Sequence, residues 1–258
     1  MLSFPNCKIN IGLQIVGKRA DGYHDIQTIF YPVALKDALE IIDNTETNDI
    51  SFSTSGINID GDIENNLCLK AYHLLKKDLP QLPGIKMHLH KTIPLGAGLG
   101  GGSADAAFTL QLLNKKFSLG LDLASLNKYA ADLGSDCPFF LINKPCFASG
   151  RGEILEEVNP DLSAYNILLI NPGIHINTGW AFSALEKMSI GSNLKENASL
   201  PVHKWREHIS NDFEIPVFKA HKEIGLIKEK LYEAGAVYAA VSRSMPPTCP
   251  SAAYPQSQ

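Results

Sequence analysis

No stretch of this 258-residue chain is apolar for long enough to cross a bilayer. No stretch is basic enough to follow a nucleic-acid backbone either. Lys and Arg number 23 against 27 Asp and Glu, for a net charge of -4, and the longest basic groupings are the pairs Lys18-Arg19, Lys76-Lys77 and Lys115-Lys116. The balance speaks against both a nucleic-acid partner and a membrane partner. Cysteine is sparse: Cys7, Cys68, Cys137, Cys146 and Cys249 are odd in number and show no C-x-x-C spacing. That argues against a disulfide framework and a structural zinc site, and for a reduced, cytoplasmic protein. The first residues, MLSFPNCKINIGLQIV, lack a charged segment followed by a continuous apolar core, so they make a poor signal peptide. Internal repeats and low-complexity tracts are absent as well. What remains is an ordinary soluble composition, 45% apolar and 19% charged. The length allows one large domain or two ordinary ones, with a sizeable core.

The patterning mixes strands and helices without regular alternation. Lys8 to Val16 alternates in part (Ile9, Ile11, Leu13, Ile15) and reads as an early strand, followed by turn chemistry at Asp21-Gly22. IQTIFYPVAL, ALEIID, SFSTSGINID and IKMHLHKTI read as further strands. Asn66 to Leu79 has Leu67, Ala71, Leu74 and Leu75 on one helical face. Ser103 to Lys116 and Leu123 to Leu133 read as helices, the second between an N-capping Asp122 and a terminating Gly134. Phe147 to Val158 carries a Gly-Arg-Gly turn between strand-like pieces, and YNILLINPG reads as a buried strand. Thr178 to Met188 reads as helical, Ile190 to Leu200 as a polar loop, Trp205 to Ile209 and Ile224 to Ala234 as helices, and VYAAV as a last strand. The class is α+β. NPDLSAY interrupts the pattern and suggests a boundary, giving domains 1–158 and 159–244 and a tail 245–258.

The most informative stretch is PLGAGLGGGSADAAF, Pro94 to Phe108, in which five of the first nine residues are glycine. Glycine in ordered structure loses much conformational entropy, so such a run implies that something approaches the main chain closely. Strand, glycine loop and helix N-terminus in that order make an anion site, because unpaired backbone N–H groups and the positive end of the helix dipole converge. A P-loop needs lysine after its second glycine, and Gly102 stands there. A dinucleotide fingerprint, formally present at Gly96, Gly98 and Gly101, needs a following strand with an acidic end, and another helix follows instead. A phosphate cradle opening on a serine is left, with Ser103 able to cap the helix or touch phosphate or metal. The small Ala104, Ala106 and Ala107 let the helix approach closely. A glycine-rich turn that merely packs a helix on a sheet is the competing reading.

These residues resemble the ATP loop of the GHMP small-molecule kinases. Within that superfamily, KINIGLQIVGKRADGYHDIQTIF near the start and GSDCPFF, Gly134 to Phe140, are similar to the branch that acts on a cytidine-diphosphate-linked methylerythritol in non-mevalonate isoprenoid synthesis. The resemblance runs from about Pro5 to Val241. It implies a two-domain fold: an N-terminal domain like domain 2 of ribosomal protein S5 and a ferredoxin-like C-terminal domain. It implies ATP as phosphoryl donor with Mg²⁺, a small-molecule substrate, and a monomer or homodimer. Asp136 would take the hydroxyl proton and Lys8 would stabilise charge. Pro94, Leu95, Gly96, Ala97, Gly98, Leu99, Gly100, Gly101, Gly102, Ser103 and Ala104 would hold ATP, with Asn66 on the adenine side and Ser103 the only metal ligand to be named. Tyr23 would stack on the cytosine and His24 read its edge, Asn10 would contact the substrate, and Thr178 and Phe182, four apart, would form a second wall. Without the resemblance, Asp136 reads as a helix cap, Lys8 as a solvated strand-edge lysine, Asn66 as a cap and Phe182 as core. Rival activities are another GHMP kinase, an inactive nucleotide-binding protein and a dinucleotide-binding oxidoreductase.

The chain departs from that pattern at its end. The resemblance leads one to expect S-G-S-G-[ST] and a closing strand after GAVYAAV, but SRSMPPTCPSAAYPQSQ follows, with Arg243 in a glycine's place between Ser242 and Ser244. Pro246, Pro247, Pro250 and Pro255 argue against a central strand. The expectation is a disordered tail, an incomplete C-terminal domain with an unpaired sheet edge, and hence reduced stability and weak catalysis. A reading-frame shift would produce so abrupt a change, and an intact motif in another frame of the coding DNA would reveal it.

Overall fold

The structure, a computed structural model, describes residues 1–59, 61–174, 176–185, 193–242 and 249–255, with backbone alone for Thr178 and for 249–255. The strands among them are β1 (Leu2–Ser3), β2 (Asn6–Lys18), β3 (His24–Lys36), β4 (Ala38–Asp43), β5 (Ser51–Gly56), β6 (Ile85–Lys91), β7 (Cys146–Ser149), β8 (Ile154–Glu157), β9 (Tyr165–Leu169), β10 (Tyr238–Ser242) and β11 (Cys249–Pro255). The helices are α1 (Leu67–Asp78), α2 (Gly101–Lys116), α3 (Leu123–Leu133), α4 (Cys137–Ile142), α5 (Thr178–Ser183), α6 (Leu194–Ala198), α7 (Val202–His208), α8 (Glu214–Ala220) and α9 (Lys222–Glu233). The mixture is α+β, and it forms two compact units that interleave along the chain.

One unit comprises Met1–Cys7, Ala34–Leu95 and Gly100–Asn143. Its sheet runs β1-β4-β6-β5, with β4 antiparallel to β6 and β5 parallel to it. Alternation along β6 buries Ile85, Met87, Leu89 and also Lys91. Helix α2 packs against α1, α3 and α4, and its small residues Ala104, Ala106 and Ala107 are fully buried, which permits close approach. Asp122 caps α3 by accepting from Ser125 N, and Gly134 ends it.

The other unit comprises Lys8–Val33, Gly96–Leu99 and Lys144–Gln258. It carries most of the sheet β2-β3-β7-β8 and the whole of the sheet β10-β11-β9. A tight turn joins β2 to β3, with Arg19 N donating to Tyr23 O at 2.8 Å. Leu13, Ile15, Ile176, Ala181, Phe213, Val217, Ile224 and Val241 form its main core. Glu214 fastens β10 to α8: its Oε1 accepts from Val241 N at 2.9 Å and its Oε2 pairs with Lys228 at 2.7 Å.

Several expectations need correction here. Helix α6 occupies Leu194–Ala198, where polar composition suggested a loop; Leu194 and Ala198 are buried and supply the apolar anchors that so short a helix needs. Helix α8 was not anticipated. Strand β9 is only half buried, with Asn166 and Leu168 exposed, so its apolar run does not signal burial on both faces. Helix α5 ends at Ser183, and the rest of the stretch expected to be helical, from Glu186 on, lies outside the described residues.

The largest correction concerns the tail. Residues 249–255 form the middle strand of their sheet, antiparallel to both β10 and β9. Pro250 and Pro255 stand at or next to the ends of β11, opposite Val241 and Tyr165, and Ser251 to Tyr254 between them keep their N–H groups for the ladder. Pro246 and Pro247 lie outside the described residues. A chain ended at Thr248 leaves β9 and β10 without their shared partner, and its melting temperature should fall by about 5 °C or more. An unchanged melting curve would contradict the pairing.

Candidate active site

In the first unit, β6 leads through Thr92 and Ile93 into the glycine run, and α2 begins at Gly101, two residues earlier than the sequence suggested. Gly96, Gly98 and Gly100 have φ of 67°, 72° and 71°, a left-handed backbone that other residues adopt only under strain. Gly100 stands at the N-cap of α2 without a side-chain cap, so the first-turn N–H groups keep their capacity to bind an anion. Helix α2 packs against α4, and Ser103 lowers the Cys137 thiol pKa by hydrogen bonding, against the larger, raising effect of burial. Asp136, next to Cys137, is 4% exposed and makes no cap hydrogen bond through its side chain. The helix-cap reading of Asp136 thus lacks its defining bond. Asn66 does cap α1, its side chain accepting from Cys68 N at 2.9 Å.

Beneath the loop lies a buried charge cluster. Lys91 Nζ bonds Asp105 Oδ2 at 2.8 Å and also bonds Asp37 Oδ2. Burial pushes the Asp105 carboxyl up to about 7, opposed by Lys91 and aided by the like charge of Asp37. The Lys91 ammonium is held above its ordinary range by both carboxylates, which outweigh its own burial. Burial also raises the nearby Cys68 thiol, pushes Cys137 up to about 12 and Cys146 up to about 11. Because the thiolate is the reactive form, these cysteines should be inert in the native state. A Cys249→Ser variant at pH 8 should react with a thiol reagent at under about a tenth of the rate of the urea-unfolded chain; equal rates would refute this.

In the second unit Lys8 is fully buried, so it is not a solvated strand-edge residue. Its Nζ donates to Asn10 Oδ1 at 2.6 Å and lies 4.4 Å from the centroid of the Phe30 ring. Its backbone N donates to Leu99 O at 2.9 Å, tying β2 to the glycine run. Asn10 is held in turn: its Nδ2 donates to Thr28 Oγ1, whose hydroxyl donates to Gly12 O, and its N donates to Ser242 Oγ. Arg243 and Ser244 lie outside the described residues. Tyr23 is 58% exposed, with the Arg151 guanidinium 5.2 Å from its ring centroid. His24 stacks on Phe182 with centroids 4.5 Å apart, and Phe182 meets Phe213 edge-on at 5.0 Å. Phe182 therefore belongs partly to the core and partly to an aromatic wall. Thr178 starts the same helix, and its side chain lies outside the described residues.

Sequence reasoning missed Lys91, Asp37, Asp105, Thr28 and Arg151. One signal was available: in IKMHLHK, Lys91 falls in the buried row of Ile85, Met87 and Leu89. Asp37, between two strands, carries no such mark.

A glycine-rich loop with left-handed glycines opening on a helix, on an α+β scaffold, fits the class of small-molecule kinases. Residues 66–144 match the family described as the GHMP kinases N terminal domain. A crystal structure of 4-(cytidine 5'-diphospho)-2C-methyl-D-erythritol kinase superposes with a TM-score of 0.83 at 26% identity, over 98% of this chain and 89% of that one. A mevalonate kinase structure shares the fold, with a TM-score of 0.71 at 12% identity over 98% of this chain and 91% of that one. The chain is 49% identical to the 4-diphosphocytidyl-2-C-methyl-D-erythritol kinase of Bacteroides fragilis (strain YCH46), covering 95% of this chain and 89% of that one. It is 48% identical to that of Azobacteroides pseudotrichonymphae genomovar. CFP2, covering 95% and 90%. The chain belongs to the 4-diphosphocytidyl-2-C-methyl-D-erythritol kinase family.

Proposed function

We propose that the chain transfers the γ-phosphoryl group of ATP to a hydroxyl of 4-diphosphocytidyl-2-C-methyl-D-erythritol, a step in making isoprenoid precursors without mevalonate. The observation that carries the reading is the packing of α2, which begins at the end of the glycine loop, against α4, whose N-cap position Asp136 holds. Phosphoryl transfer needs positioning and charge stabilisation more than covalent chemistry. The loop from Pro94 to Ala104 surrounds the phosphates, with N–H groups of its glycines and of the first turn of α2 turned to them, and Asn66, already the cap of α1, borders the adenine. Asp136 takes the proton of the attacking hydroxyl as its oxygen bonds to phosphorus and ADP leaves. Lys8, kept in place by Asn10, offsets charge on the transferring group.

Tyr23 offers an exposed aromatic face to the cytosine, His24, stacked on Phe182, reads its edge, and Phe182 with Thr178 serves as the second wall. Mg²⁺ supplied with ATP would offset charge on the phosphates, with Ser103 the one protein group we name beside it. Among the described residues no three His, Cys, Asp or Glu side chains group as a metal site. We assign the reaction to the cytoplasm: the described cysteine side chains form no disulfide, which suits a reducing compartment, and no described helix is long and apolar enough to cross a membrane.

The test is ADP release from Mg-ATP with and without 4-diphosphocytidyl-2-C-methyl-D-erythritol. Release that depends on the cytidine substrate supports the reading. Release with another alcohol in its place would assign a different GHMP activity. Tight ATP binding without turnover would leave a nucleotide-binding protein.

A further inference from the structure

Three buried charged residues lie under the glycine loop, and the phosphate chemistry does not use them. Lys91, Asp37 and Asp105 are each no more than 2% exposed. Their bonds go to both ends of the loop. On the entering side, Asp37 Oδ1 accepts from Thr92 N at 2.6 Å and from Ile93 N at 2.9 Å, the peptides that carry the chain out of β6. On the leaving side, Asp105 sits in the second turn of α2, and Lys91 Nζ joins it to Asp37. A Cβ placed on Gly101 would lie 3.4 Å from Lys91 Nζ and 2.9 Å from Ile93 Cγ2, so the ammonium lies directly against the first residue of α2.

A hydrophobic trio would fill such a core at lower cost, because burying ions carries a large desolvation penalty. What the ionic trio adds is direction. It fixes the peptides before the loop relative to the helix after it. A loop with five glycines has much entropy to lose when it closes on a ligand, and fixing its ends in advance reduces that loss.

We infer that Lys91, Asp37 and Asp105 are positioning residues that clamp the two ends of the glycine loop and thereby set the affinity for ATP. The inference rests on the reading of that loop as the ATP site. It places their effect on nucleotide binding and leaves the cytidine substrate and the chemical step nearly unaffected.

Two variants of the full chain test it, each measured for Mg-ATP binding by calorimetry, for both KM values, for kcat and for melting temperature. Asp105→Asn keeps the shape and removes the charge. It should weaken Mg-ATP binding about tenfold and raise the ATP KM in step, with kcat and the other KM within about twofold. The triple variant Asp37→Asn/Lys91→Met/Asp105→Leu removes all three charges together and keeps an amide oxygen at position 37 to accept from Thr92 N and Ile93 N. It should melt within a few degrees of the parent while binding Mg-ATP about tenfold more weakly. Parental ATP affinity in either folded variant overturns the inference, even if the melting temperature moves. Equal losses for ATP and for the cytidine substrate overturn it too. A parent chain that does not bind Mg-ATP overturns the reading of the loop itself, and the clamp with it.

Discussion

Asp136→Ala should leave a folded protein whose turnover falls by about a hundred- to ten-thousandfold, the usual contribution of a positioned proton acceptor. The KM for ATP should stay within about twofold, because binding to the loop does not need the carboxylate. Asp136→Asn is the sharper comparison, since it keeps the volume and removes the basic oxygen. Steady-state ADP release with a melting curve for each variant checks both points. Turnover within a few-fold of the parent in Asp136→Asn would remove Asp136 from the reaction.

Lys8→Met should lower kcat by about a hundred- to a thousandfold, the scale of losing one preorganised charge at the transferring group. The stem of Lys8 is fully buried, and a methionine of similar length refills that space. Asn10 then loses the ammonium that donates to its Oδ1 at 2.6 Å, at a cost in stability of about 1–3 kcal/mol. Asn10 keeps its bonds to Thr28 and Ser242, so the strand stays in register. Lys8→Ala should do worse on stability, because it adds a cavity of several methylene groups beside Phe30. Single-turnover rates separate the two effects. A Lys8→Met variant with a parental chemical rate would restrict Lys8 to the core.

Part of the candidate site is legible along the chain. The glycine run announces close approach to backbone, and three of its residues adopt left-handed φ. The pairing of KIN with RADGYH pointed to a base reader, and Tyr23 is exposed beside a stacked His24 and Phe182. The tail was misread. Prolines were counted without regard to position, yet a proline near a strand's end leaves the central ladder intact. The helices α6 and α8 were missed because short segments carry too few apolar repeats to stand out.

By itself the sequence determined the class of secondary structure, the glycine-rich loop at a helix start and the family resemblance. These depend on local chemistry: glycine's access to positive φ, the alternation of strands and the order of residues in a motif. Only the tertiary structure decided which polar groups are taken out of water. Lys8 reads along the chain as a solvated cation and Lys91 as the end of an apolar row, and folding buries both, one against Asn10 and Phe30 and the other between Asp37 and Asp105. The partners of a buried charge come from segments far away in sequence, as Asp37 lies 54 residues from Lys91. A linear pattern cannot specify such a meeting, because the low dielectric that makes it matter exists only once the chain has closed around it.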